Sequence, residues 1–357
     1  MGLRRKKRSV KRQIELHAIK NRDAIAEMQK IKAVGGFQSF MPYDCINWKW
    51  ETDKPHILYA IDRYGWAFWN IARNVMPNLQ RYENYEVPFL SVAEGGDCDV
   101  AICFWWQSIL RLKDKIKAGK WLMGLYDHFT WKENNATWKP ANSTFLEALK
   151  VCDGIFVSNE MLMKEVSELT DKPIYLCEDG VDTKLFTVQD RNPDRIFKVG
   201  WTGNSLSGNG AIKGLDVIKA ACNKVTKAKI ATMFLDRKGF DTKDFIPHDE
   251  MPNAFYKAID AYLCASVAEG TPNPLLESLA CGVPVITTRV GLVDKFARCP
   301  GVIVAKRTPE AFARAIERMA KRDRVEIAKA CRKAVEPFDW KIKSENFARM
   351  IEDQLAR

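Results

Sequence analysis

The stretch Glu269-Gly-Thr-Pro-Asn-Pro-Leu-Leu-Glu277-Ser-Leu-Ala-Cys-Gly-Val-Pro-Val-Ile286 places two carboxylates eight positions apart. A turn of Gly, Pro and Asn residues follows Glu269, and the run 274–280 around Glu277 is predicted to be helical. A turn that opens into a helix presents unpaired backbone N–H groups and a positive dipole end, which favour a phosphate. Carboxylates accept hydrogen bonds from sugar hydroxyls, as they do in dinucleotide sites. The stretch therefore predicts a site for a nucleotide-sugar.

Strands and helices are predicted to alternate on both sides of this stretch. The first strand is expected at 56–61, followed by a turn at 62–65 and a helix at 66–79. Further strands are predicted at 89–93, 100–105, 121–126, 154–158 and 174–177, and, after a linker at 181–194, at 197–200, 231–235, 261–264, 284–287 and 302–304. Such alternation predicts parallel sheets that helices cover on both faces.

The Glu-x7-Glu frame resembles the donor-site motif of retaining glycosyltransferases of the GT-B fold, family 4 in particular. Cys177-Glu-Asp-Gly-Val-Asp-Thr-Lys-Leu-Phe186 resembles the interdomain segment of that family. Val199-Gly200, followed by Lys213-Gly-Leu-Asp216, resembles its first C-domain strand and phosphate loop, and Phe338-Asp-Trp340 resembles the entry to its C-terminal helix. The resemblance is good from about residue 120 to the end. Residues 55–119 match the family only in outline, and residues 1–54 do not match it.

The resemblance implies a fold class of two Rossmann-like α/β domains that face a cleft. Residues 55–185 would form the acceptor domain and residues 190–337 the nucleotide-sugar domain. The last helix, within 339–357, would cross back onto the first domain. Residues 1–54 would form a basic extension, in which apolar residues recur near helical spacing over 9–34.

The resemblance also implies roles for the residues of the motif. Glu269 would contact the hydroxyls of the donor sugar, and Glu277 would bind the ribose. Backbone amides of Gly270, Thr271 and Asn273 would approach the sugar and phosphates, because the two prolines of the turn have no N–H group.

Lys213 is the second predicted catalytic residue. The departing nucleotide carries extra negative charge on its diphosphate, and a fixed cation stabilises that charge as it develops. The glycine-rich loop before Lys213, from Gly203 and Asn204 onward, could cradle phosphates through its N–H groups. On the family pattern, Ile246 lies in the base-contacting segment.

The arginine that the family carries after its first C-domain strand is missing here. Trp201-Thr-Gly-Asn-Ser205 occupies that place, and Arg237 and Lys238 are candidate substitutes.

In the first domain, Tyr126-Asp127-His128 ends a predicted strand. Asp127 or His128 could position the acceptor hydroxyl or take its proton, although a structural histidine is an equal alternative. The family more often has His-Asp in this place. Gly65 matches the family's glycine-rich turn after the first strand, where the backbone would approach the acceptor.

Asp97-Cys-Asp99 matches the DxD metal motif of the other glycosyltransferase fold. Because it precedes a first-domain strand far from the donor motif, we expect a structural role and no required metal. Lys213 and the helix ends would supply the positive charge.

Composition predicts an ordinary globular protein, with 46% hydrophobic and 28% charged residues. No run of about 18 apolar residues is present, so we expect no transmembrane segment. The basic start is not followed by an apolar run, so no signal peptide is expected. Ten cysteines without a CxxC pair indicate reduced thiols, and hence a cytoplasmic protein, or one in the host cytoplasm if it is virus-encoded.

The positive charge is concentrated at the start of the chain. Residues 1–54 contain 13 Lys and Arg against 6 Asp and Glu, a net charge of +7 within the total of +11. The densest cluster consists of Arg4, Arg5, Lys6, Lys7, Arg8, Lys11 and Arg12. Such a cluster is typical of a polyanion-binding arm or of a solvated tail.

For the acceptor, DNA with hydroxymethylated bases, as in virus-encoded DNA glucosyltransferases, competes with a cell-envelope lipid or polysaccharide. The basic arm narrowly favours DNA, but it would also suit anionic lipid headgroups at a membrane surface. UDP-glucose is the expected donor. A binding module that has lost turnover is a third alternative, against which the presence of Glu269, Glu277 and Lys213 argues.

Overall fold

The computed structural model describes residues 50–62, 67–92, 96–137, 139–189, 195–205, 209–236 and 246–357. The basic cluster, the predicted helix at 9–34, Gly65, Arg237 and Lys238 lie outside these residues. The described residues form two parallel β-sheets with helices, which confirms the predicted fold class.

The first sheet has six parallel strands in the order β2-β1-β3-β4-β5-β6. The strands are β1 His56–Ile61, β2 Glu83–Pro88, β3 Gly96–Cys103, β4 Ile116–Leu125, β5 Gly154–Val157 and β6 Ile174–Leu176. Its helices are α1 Ala67–Val75, α2 Ser108–Leu112, α3 Ser143–Val151 and α4 Glu160–Ser167. Helix α3 begins where the Asn142 side chain accepts a hydrogen bond from Phe145 N, an N-cap that satisfies one free amide of the first turn.

The second sheet has five parallel strands in the order β11-β10-β9-β7-β8. The strands are β7 Phe197–Gly203, β8 Ile230–Asp236, β9 Ala261–Cys264, β10 Val285–Thr287 and β11 Val302–Val304. The helices that follow α4 are α5 Asn209–Lys213, α6 Leu215–Asn223, α7 Met251–Ala254, α8 Asn273–Ala280, α9 Pro309–Ala320, α10 Arg324–Val335 and α11 Trp340–Ala356. Among the described residues, no helix combines the length and apolar character that a membrane span requires.

Helix α11 belongs to the core of the first sheet although it ends the chain. Phe347, Met350 and Ile351 are fully buried in one cluster with Ile57 and Tyr59 of β1. The chain returns there through a short parallel bridge between Val181 and Asp339. The C-terminal segment thus covers one face of the first sheet.

One predicted strand, at 89–93, is wrong. The strand lies at Glu83–Pro88, and Phe89–Ser91 forms a single 3-10 turn. β2 is an edge strand whose first three residues are half-exposed. Its sequence is therefore partly polar and lacks the continuous apolar run that would predict a buried strand. The other predicted strands are present, with ends that differ by up to five residues.

Each sheet reverses its strand order at one place. In the second sheet, β8 lies on one side of β7 and β9 on the other, so the reversal falls between β7 and β9. In open α/β sheets, ligands bind beyond the carboxyl ends of the strands at such a reversal. The topology therefore points to the loops that follow β7 and β9.

Candidate functional site

Lys213 and Glu269 meet at this strand reversal. Lys213 ends α5 after β7, and Glu269 lies in the loop after β9. The Lys213 ammonium donates to both carboxylate oxygens of Glu269, with Nζ–Oε1 of 2.6 Å and Nζ–Oε2 of 2.8 Å. The Glu269 side chain is 12% exposed and that of Lys213 is 34% exposed. The fold thus joins the two predicted catalytic residues, 56 positions apart, into one ion pair.

Gly214 allows this approach. It has a φ of +68°, and a Cβ atom there would lie 2.3 Å from the Ala265 carbonyl oxygen. No side chain fits in that space. Arg307, which sequence analysis did not identify, ties the two loops together by donating to Ala265 O at 2.8 Å and to Ala211 O at 2.5 Å. The Lys213–Glu269 pair is therefore held by backbone contacts on both sides.

Lys213 remains a cation, and the pair retains some hydrogen-bonding capacity. Burial alone would lower the pKa of Lys213, but the charge and hydrogen bonds of Glu269 outweigh it and raise this pKa. An ammonium has three donors, two of which are directed to Glu269. The Glu269 carboxylate also accepts from Ser266 Oγ at 2.7 Å and retains further lone pairs. The arrangement can therefore offer one cationic donor and one anionic acceptor to a ligand.

The turn between Glu269 and α8 presents backbone amides. Asn273 N already donates to Thr271 O at 2.9 Å within the turn, so its predicted role toward the ligand has a competing partner. In the part of the chain that the structure describes, the N–H groups of Gly270 and Thr271 have no backbone partner. These two amides are the donors that the turn can direct to an anion.

Glu277, on α8, is held by two side chains that sequence analysis did not identify. The Tyr256 hydroxyl donates to Oε2 at 2.5 Å, and His248 Nε2 lies 3.0 Å from Oε1. Burial and the charge of Glu277 raise the pKa of Tyr256, which therefore remains a donor. Both partners come from the segment before β9, and no local spacing links them to Glu277.

The other predicted donor residues lie around the same strand ends. Gly203 is the last residue of β7. Asn204 is followed by Ser205, which Asp236 at the end of β8 holds in place. Ser205 N donates to Asp236 Oδ1 at 3.0 Å, and Ser205 Oγ donates to Asp236 Oδ2 at 2.5 Å. The side chain of Ile246 packs against the core of the second sheet. Asp236 is thus a further residue that organises the β7 loop.

The loop between Glu269 and α8 touches the first domain at Gly270. A Cβ atom at Gly270 would lie 2.0 Å from the Tyr126 carbonyl oxygen and 2.8 Å from Ser158 Oγ. Asn159 caps α4 through its side-chain oxygen and donates its Nδ2 to Gly270 O at 2.9 Å. The carboxyl ends of β4 and β5 therefore meet the loop that follows β9.

Asp127 is engaged within its own turn. One carboxylate oxygen accepts from Phe129 N at 2.8 Å and Thr130 N at 2.6 Å, and the other accepts from Thr130 Oγ1 at 2.7 Å. This is the geometry of an Asx turn, for which the Asp-x-x-Thr spacing is a usable sequence signal. Its predicted catalytic role stays a prediction, and the structure gives Asp127 a structural role.

His128 is 6% exposed, so it is buried beside this turn. Its Nδ1 lies 2.8 Å from Glu165 Oε1 on α4, 37 positions away.

Asp97 and Asp99 lie at the amino-terminal part of β3, whereas Tyr126, which touches Gly270, follows the carboxyl end of β4. The Asp99 carboxylate accepts from His56 N at 2.7 Å, and Asp97 O accepts from the Trp50 indole. These contacts fix the start of the sheet. That the reaction needs no metal stays a prediction.

Asp179 is a buried carboxyl at the junction of the two domains, 1% exposed. Burial raises its pKa from 3.8 to about 7, the Thr271 hydroxyl beside it lowers this pKa, and the charge of Glu178 raises it. Ionisation of Asp179 therefore opposes folding near neutral pH.

We expect Asp179→Asn to stabilise the protein more at high pH than at low pH. Because the pKa of Asp179 is raised in the folded state, its cost is absent below pH 3.8, grows as pH rises, and is complete above about 7. A shift of this size corresponds to at most on the order of 4 kcal/mol. Melting temperatures of the variant and the unchanged protein, at about pH 5 and about pH 8, measure it. A difference independent of pH would contradict the assignment.

Comparison with known proteins gives one family match. Residues 226–322 match the family model described as Glycosyl transferases group 1. This segment contains Glu269 and Glu277 but not Lys213. No curated protein sequence matches the chain significantly.

Solved structures share the fold over most of the chain. Sucrose-phosphate synthase from Thermosynechococcus elongatus has a TM-score of 0.66 at 13% identity, covering 85% of this chain and 99% of that chain. HepE from Anabaena, solved with UDP and glucose, has a TM-score of 0.62 at 12% identity, with 84% and 100% covered. The lipopolysaccharide outer core galactosyltransferase WaaB has a TM-score of 0.56 at 14% identity, with 84% and 99% covered. At these identities the likeness concerns the fold.

Proposed function

We propose that this chain is a retaining glycosyltransferase that moves glucose from UDP-glucose to an acceptor hydroxyl. The observation that carries the proposal is the Lys213–Glu269 ion pair at the strand reversal of the second sheet. The family match of residues 226–322 supports the same reaction class. The HepE structure, solved with UDP and glucose, supports this choice of donor.

In the proposed reaction, the acceptor oxygen bonds to the anomeric carbon while the bond from that carbon to the phosphate oxygen breaks. The acceptor proton passes to the leaving diphosphate on the same face of the sugar. Lys213 and the amides of Gly270 and Thr271 stabilise the growing negative charge of the diphosphate. Glu269 accepts hydrogen bonds from hydroxyls of the sugar, and Glu277 binds the ribose. We assign contact with a substrate hydroxyl to His128 rather than to Asp127, because the Asp127 carboxylate is engaged by Phe129 and Thr130.

Donor hydrolysis and an acceptor screen test this proposal. Release of glucose from UDP-glucose without acceptor would separate an enzyme from a binding module. Transfer of radiolabelled glucose is then compared between hydroxymethylated DNA and membrane extract. No turnover with either acceptor and no hydrolysis would contradict the proposed function.

Glu277→Gln is expected to weaken binding of UDP while leaving the protein folded. The glutamine oxygen can still accept from the Tyr256 hydroxyl, so the buried tyrosine keeps a partner. The lost charge removes a charge-assisted bond to the ribose, worth about 1–3 kcal/mol. Titration calorimetry with UDP measures the effect. Unchanged affinity for UDP would remove Glu277 from the donor site.

DNA with hydroxymethylated bases is the acceptor that we propose. The support is the charge of +7 in residues 1–54, with seven basic residues among the first twelve. Lys and Arg side chains that neutralise phosphates supply most of the non-specific affinity for DNA.

Deleting residues 1–12 is therefore expected to weaken DNA binding and to flatten its salt dependence. Each lost phosphate contact should reduce the slope of log K against log salt by about 0.9. Hydrolysis of UDP-glucose should be unchanged. A control with Lys329→Gln and Lys341→Gln, two exposed lysines of α10 and α11, should keep the original slope. If the truncated protein keeps the salt slope, an envelope lipid or polysaccharide becomes the better candidate.

A further inference from the structure

A histidine–carboxylate pair lies beside the loop that joins Glu269 to α8, with a buried imidazole and a half-buried carboxylate. His128 follows β4 and Glu165 lies on α4, with Nδ1 and Oε1 2.8 Å apart. Lys132 donates to the second oxygen of Glu165 at 2.7 Å and to Thr137 O at 2.7 Å. Both oxygens of Glu165 are thus directed to fixed partners.

The carboxylate determines which nitrogen of His128 carries the proton. Burial alone would raise the pKa of Glu165, but hydrogen bonds from His128 and Lys132 lower it below its ordinary value. An ionised carboxylate only accepts hydrogen bonds, so Nδ1 must carry a hydrogen. In a neutral imidazole the other nitrogen is then an acceptor.

Among the described residues, that other nitrogen has no hydrogen-bond partner. Nε2 of His128 is buried and forms no hydrogen bond with any residue of the described ranges. Leaving a buried acceptor unsatisfied destabilises the fold, so such atoms normally bind a water or a ligand.

The histidine–carboxylate pair lies next to the candidate site. His128 lies two positions after Tyr126, whose carbonyl faces Gly270, and α4 begins at Asn159, which donates to Gly270 O. Both elements that carry the pair therefore touch the loop between Glu269 and Glu277.

We propose that Glu165 is a positioning residue, which holds His128 as the Nδ1–H tautomer and leaves Nε2 to accept a hydrogen bond from a hydroxyl of the bound sugar substrate. The inference rests on the proposed transfer function. The hydroxyl belongs to the donor sugar or to the acceptor, and both present the same O–H group.

The tautomer can be measured without any activity. The chain has four histidines, so ¹⁵N-histidine labelling gives few signals, and His128→Gln identifies that of His128. In the neutral ring we expect a protonated Nδ1 and an unprotonated Nε2. Glu165→Gln should shift the population toward Nε2–H, because an amide can also donate to Nδ1. Glu168→Gln, an exposed residue just after α4, is the matched control and should change nothing. An Nε2–H tautomer in the unchanged protein would overturn the proposal. A tautomer population that Glu165→Gln does not change would also overturn it.

Kinetics then test the contact. Glu165→Gln should lower kcat by about tenfold, the equivalent of one lost hydrogen bond, with unchanged affinity for UDP. If the hydroxyl belongs to the donor sugar, the variant also binds UDP-glucose more weakly. If it belongs to the acceptor, binding of both nucleotides is unchanged. Transfer at the original rate by a variant with altered tautomer would show that the pair is structural. Absence of transfer by the unchanged protein would instead contradict the proposed function.

Discussion

Glu269→Ala is expected to abolish sugar transfer while leaving the fold intact. The carboxylate is the acceptor that we assign to the donor sugar, and it also holds Lys213 and Ser266. Losing one preorganised group of this kind lowers turnover by on the order of 10²–10³-fold, and here the change also releases Lys213, the cation that we assign to the leaving diphosphate. Because the Lys213 side chain is 34% exposed, water can hydrate the ammonium once its partner is gone. The melting temperature should therefore change little.

Two further variants sharpen this test. Glu269→Gln keeps the shape and one acceptor oxygen but removes the charge, so its activity should lie between those of Glu269→Ala and the unchanged protein. Glu326→Ala removes an acid of α10 that is 68% exposed and should transfer normally. Transfer from radiolabelled UDP-glucose measures all three. Near-normal transfer by Glu269→Ala would remove the basis for the donor site.

The sequence predicted the parts of the site that are local in the chain. The turn and helix that carry Glu269 and Glu277 lie within one motif. Lys213 directly precedes Gly214, whose positive φ and close approach to Ala265 allow no side chain. Alternating apolar runs predicted both parallel sheets. Such local patterns can be predicted from a sequence because the repeat of the helix and of the strand fixes the spacing of their apolar residues.

The supporting residues could not be predicted in the same way. Tyr256 contacts Glu277 from 21 positions away, and Arg307 reaches Ala265 and Ala211 from separate elements. Glu165 contacts His128 through the packing of α4 beside β5 and β6. Such contacts depend on tertiary packing, which a single sequence does not encode as a spacing. Asp127 is the opposite case, since its Asp-x-x-Thr turn is a local pattern that the sequence contains and the structure shows.

Lys213→Met is expected to lower turnover far more than it weakens donor binding. The diphosphate gains negative charge as the bond to the sugar breaks, so a fixed cation interacts more strongly with the transition state than with the bound donor. The methionine retains the volume of the lysine stem but leaves Glu269 without its ion pair. That uncompensated carboxylate would then repel the departing diphosphate, which adds to the loss. We expect kcat to fall by about 10²-fold or more, with a change of less than about tenfold in the affinity for UDP-glucose.

Two comparisons separate this role from simple binding. Lys213→Arg keeps the charge and should recover part of kcat, while Lys219→Met changes an exposed lysine of α6 and should have no effect. If Lys213→Met weakens UDP-glucose binding and leaves kcat unchanged, Lys213 holds the ground state only. Activity should persist in EDTA, because Lys213 and the amides of Gly270 and Thr271 supply the positive charge. Complete loss in EDTA would mean that a metal ion does this work, and the charge balance assigned to Lys213 and Glu269 would have to be redrawn around that ion.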